Sequence, residues 1–311
     1  MKKNSLIIFL MGPTNVGKTL LAIELCKKIP FDIISVDSAM IYKNMNIGTS
    51  KPSKKKLKKI PHYLINIIKP TEYYSVSKFI KDVKKRINKT IKKKKIPLLV
   101  GGSMLYYKLL LENNDLLPNK NFKIRNYINY LSYNIGCDKL YKYLCYIDPV
   151  HSKLIHPNDK KRIIRLIEIF LISNKNMTYY KSIKYKKLPY KIYQFALIPC
   201  LKELLYNSII IRFKKMLELG LEKEAYKIFK NPNFNKNLPS SKCIGYNQLY
   251  SYFMKKITYE EMIFKSIYAT RKLIKKQFFY LKNWKYKINY IYNLNIEKNI
   301  KIIKKKIKKY I

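Results

Sequence analysis

Gly12-Pro13-Thr14-Asn15-Val16-Gly17-Lys18-Thr19 is the stretch that decides the fold. It fits the G-x-x-x-x-G-K-[ST] phosphate loop without exception, and its flanks have the order such a loop requires. Ahead of it, Leu6-Ile7-Ile8-Phe9-Leu10 is an unbroken apolar run, as expected of a strand buried on both faces. Behind it, Leu20 to Lys28 places Leu21, Ala22, Leu25 and Cys26 at helical spacing, and Pro30 closes the segment. Strand, glycine loop and helix together aim a nest of backbone N–H groups at phosphate oxygens. In that arrangement Lys18 reaches the terminal phosphate and the Thr19 hydroxyl holds Mg²⁺.

The pattern repeats further along the chain. Phe31-Asp32-Ile33-Ile34-Ser35-Val36 reads as a second strand ending at Asp37-Ser38, and Ile96-Pro97-Leu98-Leu99-Val100 as a third ending at Gly101-Gly102-Ser103. Between them, Met40 to Lys51 is a loop, Lys54 to Lys59 is basic, and Val76 to Lys94 carries Phe79, Val83, Ile87 and Ile91 at helical steps. A helix over Met104 to Leu111 follows. Such alternation predicts an α/β fold: a parallel, doubly wound sheet flanked by helices. Ligands of such sheets bind beyond the carboxyl ends of the strands. The phosphate loop, Asp37-Ser38 and Gly101-Gly102-Ser103 all fall there, which predicts a single active-site crevice.

From about Asn113 the strand pattern stops. Asn119 to Tyr180 reads as helical, with Ile163, Leu166, Ile167 and Phe170 on one face, and Phe195-Ala196-Leu197-Ile198 as a return strand. A helical insertion over 113–195 therefore interrupts a core made of 1–112 and 196–311. Leu201 to Leu219 and the segments after it read as long basic helices. The tail from Lys285, ending Lys304-Lys305-Lys306-Ile307-Lys308-Lys309, reads as low-complexity, frayed or facing nucleic acid.

Composition narrows the class. At 311 residues and 48% hydrophobic the chain is globular, and no apolar run reaches the length of a membrane span. Met1-Lys2-Lys3-Asn4-Ser5 leads straight into the first strand and reads as neither signal nor transit peptide. Cys26, Cys137, Cys145, Cys200 and Cys243 are scattered without a CxxC pair, which fits a reducing, cytoplasmic setting and argues against zinc or disulfides. Sixty-six Lys and Arg against 18 acids give a net charge of +48. The skew toward Lys, Asn, Ile and Tyr resembles an AT-rich coding bias, yet a polyanionic partner remains the stronger reading.

Several other groups carry chemistry. Asp37 suits either a carboxylate near Mg²⁺ or a general base toward a nucleophile, and spacing alone leaves both open. His156-Pro157-Asn158-Asp159 opens a helix that carries Arg162 and Arg165 on one face. His62, His151 and His156 lack metal-ligand spacing. Arg271, Lys272, Lys275, Lys276 and Lys282 interleave with Phe278, Phe279, Tyr280 and Trp284, a combination suited to nucleic-acid backbone and bases.

Taken in order, these segments resemble the tRNA dimethylallyltransferases. The resemblance rests on Gly12 to Thr19, Ile34-Ser35-Val36-Asp37-Ser38, Tyr42 and Asn46-Ile47-Gly48-Thr49-Ser50-Lys51-Pro52. It continues through Pro61-His62, Tyr74-Ser75 with Phe79, and Pro97 to Tyr106. Beyond these it takes in His156 to Asp159, Arg212 with Met216, Gly220-Leu221-Glu222-Lys223-Glu224, Ile244-Gly245-Tyr246, and Thr270-Arg271 with Lys275-Lys276-Gln277 and Leu281. It covers nearly the whole chain to about Trp284.

The resemblance implies transfer of a five-carbon group from dimethylallyl diphosphate to the exocyclic amine of the adenosine just 3′ of a tRNA anticodon. That base must leave its stack to be reached. By position, Asp37 is then the general base, while Gly12, Pro13, Thr14, Asn15, Val16, Gly17, Lys18 and Thr19 bind diphosphate, with Mg²⁺ on Thr19. Arg212 assists the diphosphate, and Ser103 stands where the family has Thr. The anticodon stem-loop is implied to meet Asp37, Ser38, Ala39 and Met40, then Lys161, Arg162 and Arg165, then Lys242, Gly245 and Tyr246, then Lys275, Lys276, Gln277 and Lys282. The chain is expected to act as a monomer. Lys276 and Lys282 replace Arg, Tyr280 replaces Trp and Asn247 replaces a basic residue; lysine keeps the charge but loses the planar fork. Two alternatives stand beside this reading. A P-loop small-molecule kinase accounts for the loop, Thr19 and Asp37 but not for the basic aromatic helix. A nucleic-acid-binding protein with a vestigial loop accounts for the charge alone.

Overall fold

Six segments pair into one sheet among the described residues: β1 (Leu6–Met11), β2 (Phe31–Val36), β3 (His62–Tyr63), β4 (Ile96–Gly101), β5 (Lys191–Ile198) and β6 (Asn289–Tyr292). Their order is β3-β2-β4-β1-β5-β6, and every neighbouring pair is parallel. The structure is a computed structural model that describes residues 5–112, 117–183, 188–292 and 295–310. The leader reading of Met1 to Asn4 and the expected onset of the insertion at Asn113 lie outside those residues.

All six residues of β1 and of β2 are buried, which explains why β1 is apolar throughout and β2 apolar apart from Asp32 and Ser35. On one face Ile8, Leu10, Leu98 and Phe195 pack against Leu21 and Leu25 of α1 (Lys18–Lys28). On the other, Phe9 meets the Tyr107 ring with centroids 4.9 Å apart, and the Tyr107 hydroxyl donates to Leu99 O at 3.0 Å.

The helices follow as α2 (Lys54–Lys59), α3 (Val76–Lys92), α4 (Met104–Glu112), α5 (Phe122–Asn134), α6 (Gly136–Ile147), α7 (Pro149–Ser152), α8 (Lys160–Ser173) and α9 (Met177–Ser182). After β5 come α10 (Lys202–Glu218), α11 (Leu221–Phe229), α12 (Tyr246–Phe253), α13 (Tyr259–Lys282) and α14 (Ile296–Ile307). The chain divides into two compact units. One comprises Met1–Tyr74, Lys81–Lys108 and Pro189–Ile311, and holds the sheet; the other comprises Ser75–Ile80 and Leu109–Leu188, and is helical. In the helical unit, Ile128, Leu140, Leu144, Ile163 and Ile167 form a core of their own.

Two details depart from the sequence reading. β5 begins at Lys191 rather than Phe195, because Lys191 to Gln194 already pair with Leu6 to Phe9 although their side chains are polar or half-exposed. The lysine-rich tail is not frayed: β6 extends the sheet beside β5, and Ile300, Ile303 and Ile307 of α14 are buried in the α1 face of the core. Apolar residues at helical spacing decide that outcome, and the lysines between them face outward.

Candidate active site

The carboxyl ends of β1, β2 and β4 open into a cleft of about 860 Å³ within the sheet-bearing unit. β1 runs directly into the glycine loop, where Asn15 (φ 68°) and Gly17 (φ 92°) turn the chain into the N-terminus of α1. Thr14, Asn15, Gly17, Lys18 and Thr19 line the cleft, whereas Gly12, Pro13 and Val16 are buried behind it. Lys18 Nζ donates to Pro13 O at 2.6 Å, folding the side chain back over its own loop. Burial pushes the Lys18 ammonium down to about 7; Asp37 opposes the shift and Arg212 adds to it. Lys18, Asp37 and Arg212 thus line one cleft.

Asp37 leaves the end of β2. Its Oδ1 accepts from the Ala39 amide at 2.7 Å and the Met40 amide at 3.1 Å, which pins the carboxylate as a turn cap. Oδ2 has no hydrogen-bond partner among the described residues, and Asp37 lines the cleft with Ser38, Ala39, Met40 and Ser103. Arg212, from α10, donates from Nε to Ser50 Oγ and from Nη1 to Asn15 Oδ1, each at 3.0 Å. It therefore spans from the phosphate loop to the 46–52 loop.

Gln277, from α13, which the resemblance implied to meet tRNA, is turned onto the phosphate loop. Its Oε1 accepts from the Thr14 amide at 2.8 Å, and its Nε2 donates to Gly102 O at 3.0 Å. A Cβ on Gly102 would lie 2.4 Å from that Nε2, so any larger residue there would displace the Gln277 amide. Gln277 is 5% exposed and staples the phosphate loop to the end of β4. Its partner Thr14 lies 263 residues away in the chain, beyond the reach of any local pattern.

Lys242, Gly245 and Lys276 also line the cleft, while Lys275 and Lys282 are exposed on α13 outside the lining. Tyr246 is fully buried, with its hydroxyl on Glu224 Oε1 at 2.6 Å, and offers no surface to a ligand. Lys161, Arg162 and Arg165 belong to α8 of the helical unit, and none lines the cleft. Lys161 and Arg162 are exposed there, whereas Arg165 pairs with buried Glu168 at 2.8 Å and donates to Pro118 O at 2.7 Å. Arg125 shares the same Glu168, so this carboxylate knits α5 to α8. The rest of the cleft wall is apolar or neutral: Met104, Tyr106, Ile209, Phe213, Met216, Leu221 and Cys243. Burial pushes both the Cys243 thiol and the Tyr106 phenol up to about 12, with Asp37 adding to each, so both stay protonated near neutrality.

A parallel sheet whose central strand feeds a glycine loop, with a carboxylate and an arginine lining the same cleft, defines an α/β protein with a P-loop NTPase-like fold. The sequence model of the IPP transferase family matches residues 40–284, and the chain belongs to that family. It is 50% identical over 284 residues to a tRNA dimethylallyltransferase of Buchnera aphidicola subsp. Acyrthosiphon pisum, covering 91% of this chain and 90% of that relative. It is also similar to the crystal structure of a tRNA isopentenylpyrophosphate transferase from Bacillus halodurans. That match has a TM-score of 0.71 at 29% identity and covers 97% of this chain and 95% of the other. A eukaryotic dimethylallyltransferase acting on tRNA shares the fold, with a TM-score of 0.81 at 24% identity over 94% of this chain and 75% of the other. These relatives are transferases, and the small-molecule kinase reading is not favoured.

Proposed function

We propose that the cleft transfers a dimethylallyl group from dimethylallyl diphosphate to the exocyclic amine of the adenosine 3′-adjacent to a tRNA anticodon, releasing diphosphate. One observation carries the reading: the partner-free Oδ2 of Asp37 shares a single cleft with Lys18 and Arg212, between them an acceptor for an amine proton and two donors for a diphosphate. The amine nitrogen attacks the allylic carbon as the bond from that carbon to the diphosphate oxygen breaks. The amine proton passes to Asp37 Oδ2, and the bonding electrons leave on the diphosphate. Lys18, Arg212 and the loop amides of 15–19 face that developing charge, which is where preorganised donors have most effect. The wall of Met104, Tyr106, Phe213 and Met216 suits an apolar five-carbon group and excludes competing water. Ser103, at the end of β4, supplies a hydroxyl on the same side of the cleft.

The donor set suits Mg²⁺. Thr19 brings one hydroxyl, and among the described residues no group of three His, Cys, Asp or Glu builds an all-protein cage. Mg²⁺ is commonly held in this sparse way, with diphosphate oxygens and waters completing the shell. When bound it would neutralise part of the leaving group's charge.

The relatives' names, the net charge of +48, and Lys276 with Tyr280 at the cleft support a tRNA anticodon stem-loop as acceptor. Exposed Lys275 and Lys282 on α13 extend that basic surface, and within the helical unit Lys161 and Arg162 on α8 are exposed cations as well. One chain supplies every group named, which supports action as a monomer. No helix among the described residues is long and apolar enough to cross a membrane. The test is incubation with Mg²⁺, labelled dimethylallyl diphosphate and unmodified tRNA whose anticodon is followed by adenosine. Label at that adenosine is the expected result; tRNA that binds but never gains label would overturn the proposal.

A further inference from the structure

Three stretches picked out in the sequence have no part in the chemistry above: the 46–52 loop, Gly220 to Glu224, and Ile244-Gly245-Tyr246. The fold joins them at one carboxylate. Glu224, in the first turn of α11, accepts at Oε2 from the Asn46 amide (2.9 Å) and the Ile47 amide (3.0 Å). Its Oε1 accepts from the Ile47 amide (3.0 Å), the Gly48 amide (3.2 Å) and the Tyr246 hydroxyl (2.6 Å). Three successive backbone N–H groups around one anion form a nest, here filled by the protein's own side chain. The fit is close: a Cβ on Gly48 would lie 2.5 Å from the Tyr246 ring, so only glycine passes beneath it.

The nest leads toward the cleft. Two residues after Gly48, Ser50 is held at φ 53°, a left-handed conformation that a residue with a side chain keeps only where its surroundings over-determine it. Ser50 Oγ then accepts from Arg212 Nε, and Arg212 Nη1 donates to Asn15 of the phosphate loop. With those positions engaged, Nη2 has no partner among the described residues. A guanidinium has a rigid planar fork, so fixing Nε and Nη1 fixes the direction in which Nη2 points.

We propose that Glu224 is a positioning residue for the transfer: by clamping the 46–48 amides it sets Ser50, and Ser50 aims Arg212 at the diphosphate. This rests on the reading of Arg212 as a diphosphate ligand. The role is electrostatic preorganisation at second hand, since Glu224 touches no substrate.

The test uses the full chain and inorganic pyrophosphate with Mg²⁺, titrated by calorimetry, alongside KM for the allylic donor and for tRNA. Arg212→Ala sets the scale by removing the ligand itself. Ser50→Ala cuts the link without disturbing the clamp, and Glu224→Gln puts an amide NH₂ against backbone donors. Each of these two is expected to weaken pyrophosphate about tenfold, the loss of a hydrogen bond to a charged group, with KM for tRNA unchanged. The double variant is expected to be no worse than the weaker-binding single, because both act on one chain of contacts. If Arg212→Ala weakens pyrophosphate while Ser50→Ala does not, the positioning role fails and the reading of Arg212 stands. Multiplied losses in the double variant overturn it as well. If Arg212→Ala binds pyrophosphate normally, the reading of Arg212 falls and takes this inference with it. Should Glu224→Gln fail to fold, Ser50→Ala decides alone.

Discussion

Asp32 and Asp37 sit at opposite ends of one strand, and their surroundings assign them opposite work. Asp32, near the start of β2, is 5% exposed and surrounded by partners: Arg86 Nη2 at 2.7 Å, Thr90 Oγ1 at 3.1 Å and Lys95 Nζ at 3.2 Å. Burial works to raise its pKa, but the bonds from Arg86, Lys95 and Thr90 outweigh it and hold the carboxyl below its ordinary value. Asp37, just past the strand's carboxyl end, has two backbone amides on one oxygen and an open cleft before the other. Carboxyl ends of parallel strands fan into loops, where a side chain can keep an unspent lone pair. Strand interiors leave no such freedom, and a charge there must be satisfied by the fold itself.

The comparison is most easily broken at Asp37. Removing a positioned general base costs about 10²–10⁴ in rate, so Asp37→Ala is expected to lose that much turnover per folded molecule while tRNA affinity largely holds. A variant that turns over near normally would strike Asp37 from the mechanism. At Asp32 the expectation reverses. Asp32→Asn leaves Arg86 and Lys95 facing a neutral amide, and breaking a buried pair costs about 3–5 kcal/mol. Urea unfolding should register that loss, while kcat per folded molecule stays level. The sign of the pH dependence follows from the depressed pKa. Asp32's contribution is complete above the unfolded carboxyl's ordinary range, about 4, and drains away as pH falls through the lower folded value.

The contrast between the two ends of β2 also explains what was readable in the sequence. β1, β2 and β4 are legible because burial on both faces leaves near-continuous apolar runs, broken in β2 only by Asp32 and Ser35, and the loop after β1 because its glycine spacing is a motif in itself. The two-residue strand β3 carries no pattern to find. β6 and α14 were hidden by lysine: Ile296, Ile300, Ile303 and Ile307 keep helical spacing, but the intervening charges read as low complexity. Of the site, the residues on one local motif were visible, and Asp37 was visible only as a choice between roles. Contacts that close over long loops were not. The resemblance implies that Gln277 meets tRNA, yet its side chain is turned onto Thr14 and Gly102.

Gln277 sharpens the comparison, since it is a buried group that serves the cleft end. Gln277→Leu leaves the Thr14 amide and the Gly102 carbonyl unpartnered, a cost of about 1–3 kcal/mol. Much of that should appear as a donor KM raised roughly tenfold, because the loop is the element released. Gln277→Glu keeps the acceptor for Thr14 but sets an anion beside Gly102 O and the incoming diphosphate, so it should be no better. Initial rates at varied donor and fixed tRNA separate the outcomes; equal increases in both KM values would point to general loosening instead.

Lys18 gives the smallest effect and the most direct view of the cleft's electrostatics. With its ammonium pushed down to about 7 by burial, the empty cleft at neutral pH holds a lysine that is charged only part of the time. A bound diphosphate favours the charged form, so binding draws a proton onto Lys18. The sign is fixed: affinity should fall as pH rises through 7, by roughly fivefold between pH 7 and 8 if the bound form stays protonated. Calorimetry in two buffers of different ionisation enthalpy reads the proton directly, with uptake beyond the ligand's own near half a proton at pH 7 and approaching one at pH 8. A flat profile would mean that Asp37 already keeps the ammonium charged in the empty cleft. The aspartate at the end of β2 would then be acting as Asp32 does, as the standing partner of a cation, and would have less basicity left for the amine.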